Sequence, residues 1–302
     1  MSIQADASSV APDWFIDAVN TPGTEFEVGV DGARVRARHW GPPGDGLVLI
    51  HGGAAHARWW DHMAPLLAAD SRVVALDLTG HGDSDRRATY DLSLWAREVL
   101  AAADAGGISG SPVIVGHSMG GWVALTTGAE HATAVAGVIA IDSPVRTLTP
   151  EESAARHSLA FGPLRHYPSF DEALRRFRVV PDDPWTQPYI EAYIARHSIV
   201  RRPAGWTWKF DPRIFDRPRP TPELLTSIRC RVALFRAERG LVTSDIGEQM
   251  YDLLGRAAPV ISLPLAGHHA MLDEPVALAV GLRTLLADWR HSAPAARNGA
   301  SK

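Results

Sequence analysis

Short runs of apolar residues recur along the chain, each bounded by glycine, aspartate or other polar residues. Such runs are typical of strands that are covered on both faces of a parallel sheet. They occupy residues 46–50, 73–78, 113–115, 138–141, 232–235 and 260–263. Near the start, side chains alternate over residues 25–30 and 34–39 around Asp31-Gly32, which predicts an antiparallel hairpin.

Helical patterns lie between the predicted strands. One example is the recurrence of apolar side chains at three- and four-residue spacing at Leu92, Trp95, Val99 and Leu100. Repeated alternation of strand and helix predicts an α/β fold with a doubly wound, mostly parallel sheet.

The alternation stops between residues 143 and 227, a stretch with many prolines, among them Pro163, Pro181 and Pro203. Short helices are expected there, over 171–177 and 188–197, and no sheet strand is predicted. We interpret residues 143–227 as an inserted helical cap. Residues 1–142 and 228–291 then form the core, and 292–302 form a flexible tail.

Composition narrows the class of protein. The 302 residues are 46% hydrophobic and 21% charged, which suits a large buried core. The net charge of −4 gives no electrostatic reason to expect nucleic acid or an anionic membrane as a partner. The single cysteine excludes an internal disulfide, and the N-terminus does not resemble a signal peptide. We expect a soluble, cytoplasmic protein acting on a small molecule, with a homodimer left open.

The pentapeptide Gly116-His117-Ser118-Met119-Gly120 follows a predicted strand and precedes a predicted helix. A strand, a tight Gly-x-Ser-x-Gly turn and a helix form a nucleophile elbow, which projects the serine hydroxyl clear of the backbone. Ser118 is therefore the predicted nucleophile.

A serine hydroxyl needs a base to accept its proton. His268 follows the last apolar run, where its loop can reach the same sheet edge as Ser118. An acid should orient the imidazole, and Asp142 and Glu238 both stand at strand ends. Backbone N–H groups of Gly53, after the strand at 46–50, and of Met119 are the predicted oxyanion hole.

These motifs resemble the α/β-hydrolase fold family over residues 25–290. The matching segments are His51-Gly52-Gly53, the run from Asp77 to Ser84, the elbow, and Gly267-His268. The resemblance implies an α/β-hydrolase fold with a helical cap and a serine triad. In most members the acid follows the seventh strand as Gly-x-x-Asp, but Gly240 occupies that position here.

Some members carry the acid after the sixth strand, and this resemblance favours Asp142 as the acid, with Glu238 as second choice. For the substrate pocket we predict four aromatic residues, His56, Trp60, Trp185 and Trp206. The histidines lack the ligand spacing of a metal site, so we expect neither a metal nor another cofactor.

A serine nucleophile suits attack on a carbonyl and an acyl-enzyme intermediate. The leading prediction is a hydrolase of carboxylic esters or lactones of a hydrophobic or aromatic small molecule. One alternative is a carbon–carbon bond hydrolase of a ring-cleavage product, although relatives with that activity usually have Asn where this chain has His117. Cofactor-free perhydrolase or lyase chemistry is another, and a ligand-binding or sensing protein with little turnover is the last.

Overall fold

An eight-stranded sheet organises the computed structural model, which describes residues 10–149, 151–152, 164–184 and 186–292. Its strands are Thr24–Val30 (β1), Ala33–Trp40 (β2), Gly46–Ile50 (β3), Arg72–Leu76 (β4), Val113–His117 (β5), Gly137–Ile141 (β6), Arg231–Arg239 (β9) and Val260–Gly267 (β10). Two further strands, Ile199–Arg202 (β7) and Gly205–Trp208 (β8), form a separate pair.

The strand order is β1-β2-β4-β3-β5-β6-β9-β10. Strand β2 is antiparallel to β1 and to β4, and every other neighbouring pair in this sheet is parallel. The predicted hairpin and mostly parallel sheet are therefore confirmed. Because β3, β5, β6 and β10 run in one direction, the loops after them meet at one edge, where α/β sheets bind ligands.

Several strands differ in length from the sequence prediction: β5 and β9 continue past their predicted ends, to His117 and Arg239, and the ends of β4 and β10 bear on the site. Strand β4 ends at Leu76, because the next residue, Asp77, accepts hydrogen bonds from the backbone N–H groups of Ala57 (2.7 Å) and Asp83 (2.8 Å). Those bonds begin a loop instead of continuing the strand. Strand β10 runs on to Gly267, with a register shift after Leu263, and so delivers His268 to the sheet edge.

Helices cover both faces of the sheet. They are Asp13–Val19 (α1), Ala64–Leu67 (α2), Leu92–Ala105 (α3), Met119–Glu130 (α4), Phe170–Arg176 (α5), Pro188–His197 (α6), Glu223–Ser227 (α7), Ser244–Leu253 (α8), Ala270–Asp273 (α9) and Pro275–His291 (α10). Helices α1, α2 and α10 contribute to one buried cluster, and α3, α4 and α8 to the other. The sheet is thus doubly wound.

The segment between β6 and β9 contains more than helices. Helices α5 and α6 lie close to their predicted positions, but β7 and β8 form an antiparallel hairpin, so the expectation of no strand there was wrong. The β-branched and aromatic residues Ile199, Val200, Trp206, Thr207 and Trp208 favour strands, a signal that the surrounding prolines obscured.

Polar contacts attach this segment to the core. The hydroxyl of Tyr193 on α6 donates to Asp61 at 2.6 Å, and Lys209, just after β8, forms an ion pair with Asp83 at 2.8 Å. The same Asp61 receives a buried bond from Arg38 at 2.7 Å. The attachment therefore depends on a shared carboxylate as well as on apolar packing.

Among the described residues, no helix combines the length and the apolar character that crossing a membrane requires.

Val48, in the middle of β3, is fully buried, whereas Val280 on α10 is 59% exposed. Replacing Val48 by alanine leaves a cavity, so we expect the free energy of unfolding to fall by about 2–3 kcal/mol. The matched V280A variant should stay within about 0.5 kcal/mol of wild type. Denaturant titration measures both, and equal losses would show that Val48 is not part of a tightly packed core.

Candidate active site

Ser118 stands in the sharp turn between β5 and α4. Its φ of 54° and ψ of −117° lie outside the ordinary regions for a non-glycine residue. A Cβ on Gly116 would overlap the backbone of Gly120, and one on Gly120 would lie 2.5 Å from the carbonyl oxygen of His51. Glycine is therefore required on both sides of the serine, as an elbow demands.

Three side chains meet at this turn. The Nε2 atom of His268 lies 3.1 Å from the Oγ atom of Ser118, and its Nδ1 donates to Asp142 at 2.6 Å. Asp142 follows β6 directly and is fully buried. The three predicted residues thus form one continuous hydrogen-bonded chain.

Glu238, the second-choice acid, points elsewhere. Its side chain is exposed and accepts the backbone N–H of Leu265 at 2.6 Å. The structure therefore brings Asp142, and not Glu238, to the imidazole.

Backbone groups compensate the burial of the Asp142 carboxylate. The N–H groups of Leu241 and Val242 donate to it at 2.7 and 3.0 Å. Its own N–H donates to the carbonyl of Phe235 at 2.8 Å, while its φ of 44° turns the chain sharply. Asp142 is consequently held in one position by the loop that follows β9.

Gly240 occupies the position at which most α/β-hydrolases carry the acid of the triad, and its surroundings explain why no acid stands there. A Cβ at this position would overlap both carboxylate oxygens of Asp142. Asp142 therefore fills the space from β6, and the glycine leaves room for it.

The predicted oxyanion residues lie side by side. A Cβ on Gly52 would be 3.4 Å from the Cβ of Ser118, and one on Gly53 would be 3.8 Å from the Sδ of Met119. Met119 is the first residue of the twelve-residue helix α4, whose N-terminal end carries partial positive charge. This arrangement suits an oxyanion formed next to Ser118.

Two further histidines surround His268. His117 donates from Nε2 to the carbonyl of His268 at 2.8 Å, and the ring of His269 lies 4.8 Å from that of His268. Burial lowers the pKa of His117 well below its ordinary value and that of His269 to about 3. Both are therefore neutral at physiological pH and add no positive charge beside His268.

These three histidines are also the group of described residues that could hold a metal ion, since their ligand atoms lie within 4.8 Å of one another. Both ring nitrogens of His268 already bond Asp142 and Ser118. A metal could bind here only in competition with those bonds.

The predicted pocket residues have several different locations. His56 donates from Nε2 to Ser198, at the start of the hairpin, at 2.8 Å. Trp60 is fully buried in the hydrophobic core, and its neighbour Trp59 contacts His269 with ring centroids 5.4 Å apart. Trp206 is half-buried on β8, with its ring 5.4 Å from that of Phe170. Trp185 lies outside the described residues.

Sequence reasoning missed Phe215, the last residue of the 3₁₀ turn Pro212–Phe215. Its ring comes within 3.2 Å of the position that a Cβ on Gly53 would occupy. The inserted segment therefore places an aromatic ring over the oxyanion loop, beside Met119. No local pattern marks Phe215, because its position depends on how the segment folds back.

Comparisons with known proteins identify the same architecture. A family model described as "Alpha/beta hydrolase family" matches residues 47–280. The chain belongs to the alpha/beta hydrolase family. The fold class and family predicted from the sequence are confirmed.

Relatives of this α/β-hydrolase include monoglyceride lipase of Homo sapiens, 35% identical over 142 residues, which is 44% of this chain and 46% of the lipase. The pimeloyl-(acyl-carrier protein) methyl ester esterase of Vibrio atlanticus is 27% identical over 80% of this chain and 82% of its own length. A thioesterase domain from the curacin biosynthetic pathway superposes with a TM-score of 0.72 at 22% identity, covering 86% of this chain and 99% of that domain.

The chain thus matches only about half of the length of the lipase (46%). The thioesterase likeness, at 22% identity, concerns the fold alone.

Replacing Gly240 by alanine should displace the Asp142 carboxylate and with it His268. We expect the rate at which a fluorophosphonate labels Ser118 to fall about 100-fold, because a shift of about 1 Å in a catalytic group has effects of this size. The matched control is Gly29→Ala, since a Cβ there meets nothing within 4 Å. Unchanged labelling of folded G240A would show that Asp142 is not confined by the loop.

Asp273 gives a separate prediction about stability. Burial raises its pKa to about 6, the neighbouring Asp183 adds to the rise, and the N–H of Gly267 bonds the carboxylate and opposes it. The folded state then binds the proton more tightly than the unfolded chain, so stability is lost as pH rises from about 4 to about 6.

We therefore expect Asp273→Asn to raise the Tm by about 2–5 °C at pH 8, with the gain vanishing below pH 4, where the wild-type carboxyl is protonated in both states. Thermal denaturation across this range measures it, with Asp70→Asn at an exposed site as control. A lower Tm for D273N at pH 8 would mean that the charged form stabilises the fold.

Proposed function

We propose that this α/β-hydrolase cleaves carboxylic esters, including lactones and thioesters, through an acyl-enzyme on Ser118. The observation that carries the proposal is the chain of hydrogen bonds from Asp142 through His268 to Ser118, at 2.6 and 3.1 Å. Such a chain is what activates a serine hydroxyl.

The reaction begins when Nε2 of His268 takes the proton of Ser118 as the Oγ atom attacks the substrate carbonyl. Asp142 accepts the Nδ1–H and stabilises the imidazolium that forms. The carbonyl oxygen becomes an oxyanion, which receives hydrogen bonds from the N–H groups of Gly53 and Met119.

His268 then gives its proton to the departing alcohol, and the acyl group remains on Ser118. Water enters, loses a proton to the same imidazole and attacks the acyl carbonyl. The second tetrahedral intermediate collapses to release the carboxylic acid and restores the Ser118 hydroxyl.

The apolar side chains next to Gly53 favour a hydrophobic substrate. Phe215 and Met119 both lie against Gly53, so the groups next to the reacting carbonyl contact an aromatic ring and a thioether. The names of the relatives, a monoglyceride lipase and a methyl ester esterase, also support ester hydrolysis. We accordingly propose esters or lactones of hydrophobic or aromatic small molecules.

The Asp142 contact also favours turnover over the binding-protein alternative. That alternative depended on Gly240 at the usual acid position. Here a carboxylate reaches His268 from β6 instead.

Removal of each triad side chain tests the proposal. Wild type should hydrolyse p-nitrophenyl butyrate and react with a fluorophosphonate, and Ser118→Ala or His268→Ala should abolish both. Asp142→Asn should lower kcat about 10⁴-fold, because the imidazole loses its orienting acceptor.

The matched control is Glu238→Gln, an acidic-to-amide change at the exposed carboxylate, which should keep wild-type kcat. Loss of activity in E238Q alone would contradict the assignment of the acid. A folded wild type that reacts with no probe or ester would overturn the hydrolase function.

A further inference from the structure

Arg217 stacks on two tryptophans, one of which belongs to the helix that follows the predicted nucleophile. Its guanidinium carbon lies 5.3 Å from the centre of the Trp95 ring and 5.1 Å from that of Trp122. Trp122 is in the first turns of α4, about 6 Å along the helix axis from Ser118. Arg217 itself follows Phe215, which covers the oxyanion loop, by two residues.

The hydrogen bonds of Arg217 are incomplete. Its Nη1 donates to the carbonyl of Pro218 at 3.2 Å, while its buried Nε has no hydrogen-bond partner. Across the described parts of the chain, no hydrogen bond of Nη2 and no ion pair of Arg217 is found. Nε and Nη2, which together can bind a carboxylate with two parallel bonds, thus have no acceptor in the described part of the chain.

Among the residues that the structure describes, no acidic side chain forms an ion pair with this guanidinium. Burial lowers the pKa of Arg217 only to about 10, so the group is cationic at neutral pH. Residues 150 and 153–163, which lie outside the described part of the segment, contain no aspartate or glutamate. A second cation, Arg219, lies over Trp122 at 4.2 Å. Burying an unpaired cation is costly, which indicates that a ligand supplies the missing anion.

The two tryptophan rings on which Arg217 stacks are fixed in position by hydrogen bonds. The Nε1 of Trp95 donates to the carbonyl of Thr79 at 3.2 Å, and that of Trp122 to the carbonyl of Pro144 at 3.0 Å. Both indoles are therefore held by their polar atoms and present fixed ring faces. A guanidinium stacked on fixed rings loses little further freedom when it binds a ligand.

We propose that Arg217 binds a carboxylate on the substrate, at the end of the molecule remote from the ester. The inference rests on the proposed function and adds the substrate class, an ester that also has a free carboxylate. Its apolar middle lies against Phe215 and Met119, and its anionic end accepts hydrogen bonds from the unpartnered N–H groups of the guanidinium. A planar carboxylate fits two parallel N–H donors better than a neutral ester or an alcohol does.

The experiment compares monomethyl esters of linear dicarboxylic acids of increasing length with methyl alkanoates of equal length. For each enzyme, the ratio of kcat/KM for the anionic ester to that for the neutral one is measured. Wild type should prefer the anionic ester by about tenfold or more at the best length. That ratio should fall at least tenfold in Arg217→Met, through a higher KM, and only partly in Arg217→Lys.

The matched control is Arg256→Met, because Arg256 also stacks on an aromatic ring, Tyr251 at 4.7 Å, and is exposed. It should keep the wild-type ratio. Wild type that hydrolyses neutral esters without preferring any anionic one, or an equal loss of the ratio in R217M and R256M, would overturn the carboxylate site while leaving the hydrolase function standing.

Binding without turnover separates the two proposals further. In the Ser118→Ala background, calorimetry should show that the best monoester binds, and that adding R217M weakens this binding about tenfold or more. If wild type reacts with no ester or fluorophosphonate, the hydrolase function fails, and the calorimetry still decides the Arg217 site. Equal binding by S118A with and without R217M would overturn the site in either case.

Discussion

The bond between Asp142 and His268 is the constraint on which the rest of the site depends. It joins residues that are 126 positions apart in the chain, and it can form only if β6 and β10 end at the same edge of the sheet. The register of the parallel strands therefore determines the geometry of the chemistry. The elbow at Ser118 adds the third member from β5, which pairs directly with β6.

Few charged groups surround the bond between Asp142 and His268. Burial keeps the neighbouring histidines His117 and His269 neutral, so the imidazolium that forms on His268 during reaction meets one carboxylate and no competing cation on those rings. The guanidinium of Arg217, which forms no ion pair with any described residue, is separate and stacks on Trp122. Positive charge is thus transient at His268, where it develops during the reaction, and permanent at Arg217.

Much of this could be predicted from the sequence, for physical reasons. Ser118 and His268 stand in strand-loop contexts that local chemistry marks clearly, and buried parallel strands have a strong apolar signature. The hairpin at β7 and β8 was missed because its strands are four residues each and lie among prolines. Phe215 was missed because its contact with the oxyanion loop arises from tertiary folding, which no local pattern encodes.

Gly240 has a consequence for how such chains are classified. The space beside the imidazole of His268 has room for one carboxylate. That carboxylate can come from the loop after β6 or from the loop after β9, but not from both, because any side chain at position 240 would overlap Asp142. A search that requires an acid at position 240 would therefore file this chain with relatives that have lost their triad. In this chain the acid is therefore identified by the volume it fills beside the imidazole, which Asp142 reaches from β6.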